Sequence, residues 1–197
     1  MSVSNLSVLV VDENKIRAAI IEAGLREAGY ERVEVVGETF GLIRNIEQIS
    51  PDVIVIDLEN PNRDLLESMF QLSRSVKRPI AMFVDQSDQA SIEAAVEAGV
   101  SAYIVDGLTK ERVKPILDMA ISRFNAFARM SRELQDARDE LAGRRMIDAA
   151  KTILMNAKNI DEEEAYKLLR KTAMNQNRKI ADIAQSLVTA EKLMNDK

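Results

Sequence analysis

Five short, largely apolar runs punctuate the first half of the chain: Leu6 to Val11 with Ser7 inside it, Val33 to Val36 with Glu34 inside it, Val53 to Ile56, Ile80 to Val84 and Ala102 to Val105. Runs of this kind predict short strands, and the unbroken ones strands buried on both faces, as in a parallel sheet. Between them, apolar residues return every three or four positions. Ile16, Ala19, Ile20, Ala23 and Leu25 predict a first helix, which Gly29 ends. Phe40, Leu42, Ile43, Ile46 and Ile49 predict a second, stopped before Pro51. Further helices are predicted from Leu65 to Ser75, from Asp88 to Ala98 before Gly99, and from near Thr109. Strand and helix thus alternate five times. That order predicts an α/β domain with a five-stranded parallel sheet and right-handed crossovers.

The pattern then changes. Phe127, Met130, Leu134, Ala137 and Leu141 are spaced three and four residues apart among charged residues, and no Pro or Gly falls between Pro115 and Gly143. This predicts one long helix with an apolar seam, suited to a two-stranded coiled coil or to packing on the N-terminal domain. From Gly143 onward three shorter helices fit. Ile147, Ala150, Ile153, Leu154 and Ala157 line the first; Ala165, Leu168, Leu169 and Ala173 the second; Ile180, Ile183, Ala184 and Leu187 the third. Asp161 is placed to cap the second helix, with Glu164 completing a capping box. The expected domains are 1–124, a linker over 125–142, and 143–197.

Charge sharpens this division. The part from Gly143 onward has eleven Lys/Arg against eight Asp/Glu, whereas the part before it has sixteen against twenty-four, for an overall −5. A basic tail behind an acidic body suits a polyanionic partner, although such charges also serve simply to solvate three helices. With no Cys and no His among the 197 residues, thiol chemistry, disulfides and the usual zinc ligands are excluded. No run is apolar enough to span a bilayer and no signal segment opens the chain, so a cytoplasmic setting without membrane attachment is expected.

In a parallel sheet the functional site lies beyond the carboxyl ends of the strands. Acids stand there: Asp12 and Glu13 after the first strand, Asp57 after the third. The runs VLVVDEN, DVIVIDLENPN, PIAMF and AGVSAYIV resemble the receiver domain of two-component response regulators, a flavodoxin-like fold. The resemblance implies that Asp57 is a phosphoacceptor and that Asp12, Glu13 and Asp57 surround a Mg²⁺ ion, the one candidate cofactor. Two positions depart from the family. Val84 stands where a hydroxyl residue is usual, with Ser87 three residues on. Asp106 stands where a Lys is usual, and Lys110 belongs to the next helix. Asp106 is expected to add a fourth carboxylate to the pocket. These departures point to a docking and dimerising platform in place of a phosphoryl switch.

The tail, in RRMIDAAKTILM, EEEAYKLLRKTAM and KIADIAQSL, resembles the ANTAR domain, an RNA-binding output module. The whole chain resembles the AmiR/NasT family, and within it the NasT branch of nitrate and nitrite regulators. This implies an antiterminator that binds paired stem-loops in leader RNA and prevents a terminator from forming, and the apolar seam of the long helix makes a homodimer the expected form. It also implies control by a ligand-sensing, nitrate-sensor-like protein. Tyr166 is then the candidate for base stacking with Arg170 one turn on, and Arg144, Arg145, Lys151, Lys171, Arg178 and Lys179 the candidates for RNA contacts.

Three other readings compete. A phosphorylation-switched regulator with DNA-binding output would want a helix-turn-helix, yet both turns of the tail lack Gly and IADIAQSLVTAEKLM offers few base-reading side chains. A tail that binds only protein would make the chain a scaffold. An enzyme finds no catalytic set beyond the receiver acids, so none is expected.

Overall fold

The computed structural model describes residues 5–38, 41–59, 61–106 and 109–195. Phe40, expected in the second helix, lies outside the described residues. The chain divides into two compact units, Met1–Ala128 and Arg129–Lys197.

In the first unit, strands β1 (Ser7–Val11), β2 (Arg32–Val36), β3 (Val53–Leu58), β4 (Ile80–Val84) and β5 (Ala102–Val105) alternate with helices α1 (Lys15–Glu27), α2 (Leu42–Ile49), α3 (Arg63–Ser75) and α4 (Gln89–Glu97), and α5 begins at Lys110. The strands are all parallel, in the order β2-β1-β3-β4-β5. The expected five-stranded, flavodoxin-like sheet is therefore observed. Every residue of β1, β3 and β4 is buried, which is why those segments read as unbroken apolar runs. Edge strand β2 is largely exposed.

Side chains alternate across the sheet with the period of two that a strand imposes. One face joins Leu9, Val11, Ile54, Ile56, Met82 and Val84 to the inner faces of α2, α3 and α4. The other joins Val8, Val10, Val55 and Phe83 to Ile21 and Leu25 of α1 and to Val113 and Leu117 of α5. Helix α1 corrects one expectation. Its buried residues are Ala18, Ile21, Gly24 and Leu25, while Ile16 is 74% exposed and Ile20 41%. Gly24 shows what selects that face: a Cβ there would sit 2.9 Å from the Lys110 carbonyl oxygen, so the start of α5 can approach only a glycine.

Helix α5 runs from Lys110 to Lys158, followed by α6 (Glu162–Gln176) and α7 (Ile180–Asn195). The second unit is built from the last thirty residues of α5 with α6 and α7. Its core is Ala150, Leu169, Ala173, Ile183, Ala184 and Val188, ringed by Ile147, Ile153, Leu154 and Leu187. Leu168 and Ala157, expected inward, face solvent. The helix continues through Gly143, where a domain boundary was expected. A Cβ at Gly143 would lie 3.3 Å from that of Ala181, so this glycine marks a close crossing of α5 and α7. Asn159 and Asn177 end α5 and α6 with φ of 52° and 51°, a left-handed conformation Asn tolerates better than most side chains. The Asp161 carboxylate accepts from the Glu164 backbone N–H at 2.8 Å and caps α6 as expected.

Candidate functional site

The acids of the first unit do meet. Asp12, Glu13, Asn14, Asp57 and Glu59 line one cavity at the carboxyl end of the sheet. Asn14 organises its rim. Its backbone N–H donates to Asp12 Oδ1 at 2.7 Å, its side-chain oxygen caps α1 by accepting from Ile16 N, and its amide donates to Glu59. That cap turns the first turn of α1 over the strand ends and places Arg17 against Asp57.

Arg17 is the functional residue that sequence reasoning missed. Its Nε donates to Asp57 Oδ2 at 2.6 Å and its Nη2 to Asp57 Oδ1 at 2.7 Å. Its third nitrogen, Nη1, donates to Asp85 Oδ1 at 2.7 Å. The Asp57 side chain is fully buried and that of Arg17 only 19% exposed. A two-pronged guanidinium–carboxylate pair in such a place is short, directional and strongly held. The hydrogen bonds to Asp57 raise the Arg17 pKa above its already high value, against the opposing effect of burial.

Asp12 completes the group. Burial pushes its pKa up to about 6, an effect the Asn14 N–H opposes and the neighbouring Asp57 reinforces. Its Oδ2 is buried and makes no hydrogen bond. The further carboxylate lining the cavity is Glu59; Asp106, expected there, is exposed and has φ of 48°, and Asp85 is joined to Asp57 only through Arg17. Val84 is buried in the core. The Ser87 hydroxyl is spent on the Tyr103 hydroxyl at 3.0 Å, and Lys110 pairs with Glu27.

The Mg²⁺ expected at Asp12, Glu13 and Asp57 does not fit this arrangement. Both Asp57 oxygens already bind a cation. Among the described residues, no three acidic side chains form a set able to hold a metal ion.

The basic residues of the second unit fall into two kinds. Lys151 is turned inward: its side chain is 16% exposed and pairs with Asp148 and Glu162, both at 2.6 Å. Those carboxylates, Asp148 first, push its pKa up to about 12. It thereby ties α5 to the start of α6. Arg144 pairs with Glu140 on the surface. Arg145, Arg170, Lys171 and Lys179 form no ion pair with a described residue. Arg170, Arg178 and Lys179 converge on one cleft with Met174 and Asn177. Arg178 is anchored there by donating to Ser186 Oγ at 3.2 Å and the Asp182 carbonyl at 3.3 Å. Tyr166, Arg170 and Met174 follow four residues apart along one face of α6, with Tyr166 41% and Met174 72% exposed. Met174 was not expected in this surface.

The seam residues Phe127, Met130, Leu134, Ala137 and Leu141 are all exposed in the single chain. No described helix is long and apolar enough to cross a membrane.

Comparison with known proteins agrees with this division. Residues 8–118 match the family model of the response regulator receiver domain, and residues 135–188 that of the ANTAR domain. The chain is 27% identical to the transcriptional regulatory protein PdtaR of Mycobacterium tuberculosis over 174 residues, covering 88% of this chain and 84% of that one. It is 31% identical to the nitrate regulatory protein of Klebsiella oxytoca over 88 residues, covering 45% of this chain and 22% of that protein. With the aliphatic amidase regulator of Pseudomonas aeruginosa it shares 28% over 112 residues, 57% of each. Among solved structures, a response regulator from Thermotoga maritima superposes with a TM-score of 0.52 at 19% identity, covering 59% of this chain and 98% of that one, a likeness of fold.

Proposed function

The chain belongs to the response regulators that join a receiver domain to an ANTAR domain, and from that premise we propose that it is a transcription antiterminator. It acts in the cytoplasm as a homodimer that binds paired stem-loops in leader RNA and keeps the overlapping terminator from forming. A ligand-sensing protein partner controls it, in preference to phosphorylation, and the genes it controls serve nitrate or nitrite assimilation. The observation that carries the RNA reading is the cleft of Arg170, Arg178 and Lys179 beside the exposed Tyr166 face of α6. Unpaired guanidinium and ammonium groups attract phosphates, and an aromatic ring offers a plane for an unstacked loop base. Support for the homodimer comes from the exposed seam Met130, Leu134 and Leu141. A coiled coil buries such a seam in a second copy, and two linked RNA modules gain affinity through effective concentration. The nitrate assignment rests on the likeness to the nitrate regulatory protein.

The test is direct binding of the purified full chain to a transcript with two adjacent stem-loops, against the same transcript with one loop deleted and against duplex DNA. The proposal expects tight, salt-sensitive binding of the paired loops only. Equal affinity for duplex DNA, or none for any RNA at low ionic strength, would overturn it.

A further inference from the structure

Arg17 holds both oxygens of Asp57 and one of Asp85, so the buried acid at the end of β3 already has its cation. We infer that Arg17 is the built-in counter-cation of Asp57: its guanidinium engages both carboxylate oxygens that a divalent metal or a phosphorus atom would need, and Asp57 anchors α1 and accepts no phosphoryl group. The inference concerns the first unit alone and stands apart from the RNA reading.

Three observations converge on it. The guanidinium uses all three nitrogens, two on Asp57 and one on Asp85, at 2.6–2.7 Å. A Mg²⁺ ion binds carboxylate oxygen at about 2.0–2.1 Å. On Asp57 it would share an oxygen with a fixed positive group and suffer like-charge repulsion in a poorly solvated site. The Asp57 side chain is fully buried, so it cannot turn to solvent to offer a free lone pair. An attacking carboxylate would have to surrender its bonds to Arg17 before it met a phosphorus atom. The incoming phosphoryl group would then face Asp12, Glu13 and Glu59, the other acids of the cavity, while Val84, buried in the core, offers no hydroxyl. The same geometry explains why Asp85 follows β4 directly. A lone Arg17–Asp57 pair would leave Nη1 without an acceptor, and Asp85 supplies it.

Removing the internal cation should expose the site it fills. Arg17→Gln frees both oxygens of Asp57, which shares a cavity with Asp12, and Mg²⁺ is ordinarily held by one or two carboxylates with several waters. The experiment is calorimetric titration of the full wild-type chain, Arg17→Gln and Arg17→Lys with MgCl₂, with melting curves in the same buffers. It is accompanied by exposure of the wild type to a small phosphodonor and mass measurement of Asp57. Expected in the wild type are at most weak Mg²⁺ binding, no Mg²⁺-dependent melting shift and no adduct. Arg17→Gln should bind Mg²⁺ at least about tenfold tighter than wild type, and melt higher in its presence. Arg17→Lys keeps a positive charge and should gain little. Mg²⁺ binding by the wild type as tight as by Arg17→Gln, a folded Arg17→Gln with no gain, or a stable adduct on wild-type Asp57 would each overturn the inference. Should Arg17→Gln fail to fold, the wild-type titration and the adduct measurement decide it alone.

Discussion

Arg17 and Arg170 are the same side chain put to opposite uses. Arg17 is in the first turn of α1, roofed in and saturated by Asp57 and Asp85. Arg170 is on the outer face of α6, beside a cleft with Arg178 and Lys179 and without an ion pair to a described residue. The first unit has answered its own charges; the second presents them. A carboxylate held on both oxygens by a guanidinium makes a poor receiver of phosphoryl groups but a firm structural joint. An open basic cleft contributes little to folding and much to attraction of a polyanion. The distinction turns on the partner, since the charge type is identical.

The comparison breaks most sharply under alanine. Arg17→Ala leaves the buried Asp57 carboxylate without its partner, and the first unit should lose about 2–4 kcal/mol in urea unfolding. Arg170→Ala should change stability by no more than about 0.5 kcal/mol. Equal costs at the two positions would erase the contrast. Next in size is RNA affinity. Arg170→Ala with Lys179→Ala should weaken paired stem-loop binding about tenfold or more and flatten its salt dependence. Arg17→Gln should leave binding to RNA unchanged where the protein is folded. Lys151→Ala sharpens the same point: its partners are Asp148 and Glu162, so melting temperature should fall with the salt slope of RNA binding unaltered.

A smaller effect is expected at Gly143. Its close contact with Ala181 leaves no room for a long side chain, and Gly143→Leu should cost about 1–3 kcal/mol despite the better helix propensity of Leu. The smallest concerns Asp12, whose proton is held more tightly in the folded chain than in the unfolded one. Its contribution favours folding below the ordinary value of 3.8 and is lost as pH rises through about 6. Asp12→Asn keeps an oxygen for the Asn14 N–H and removes the buried charge. The variant should be about 1 kcal/mol more stable than wild type at neutral pH. Its advantage should shrink as pH falls from 6 towards 4, measured by unfolding across that range.

Much of the fold was legible because burial on both faces leaves a plain mark. Strands β4 and β5 begin and end where their apolar runs do, and β3 runs two residues beyond its run, taking in Asp57. Helix α1 was harder. KIRAAIIEAGLRE carries apolar residues on more than one face, so periodicity alone named Ile16 and Ile20 where packing chose Ala18, Ile21 and Gly24. Leu168 and Ala157 misled for the same reason. In the acidic pocket, Asp12 and Asp57 could be placed from their positions after strands. Arg17 could not, because nothing local ties residue 17 to residues 57 and 85. One signal did exist: several acids converging without a counter-charge call for a cation, and Arg17 is an arginine in the first turn of the helix that starts there.

By itself the chain's order of residues determined the alternation of strands and helices, the long seam of α5, the cap of α6 at Asp161, and the acids at the strand ends. Those are local matters of burial period, capping and backbone conformation, and each is written within a dozen neighbouring residues. Only the tertiary structure decided which face of α1 is inward, that Glu59 and not Asp106 joins the pocket, that Lys151 is spent within the protein, and that a guanidinium closes over Asp57. Those depend on contacts between residues far apart in sequence, where distance and geometry set the energy of a charge and composition does not.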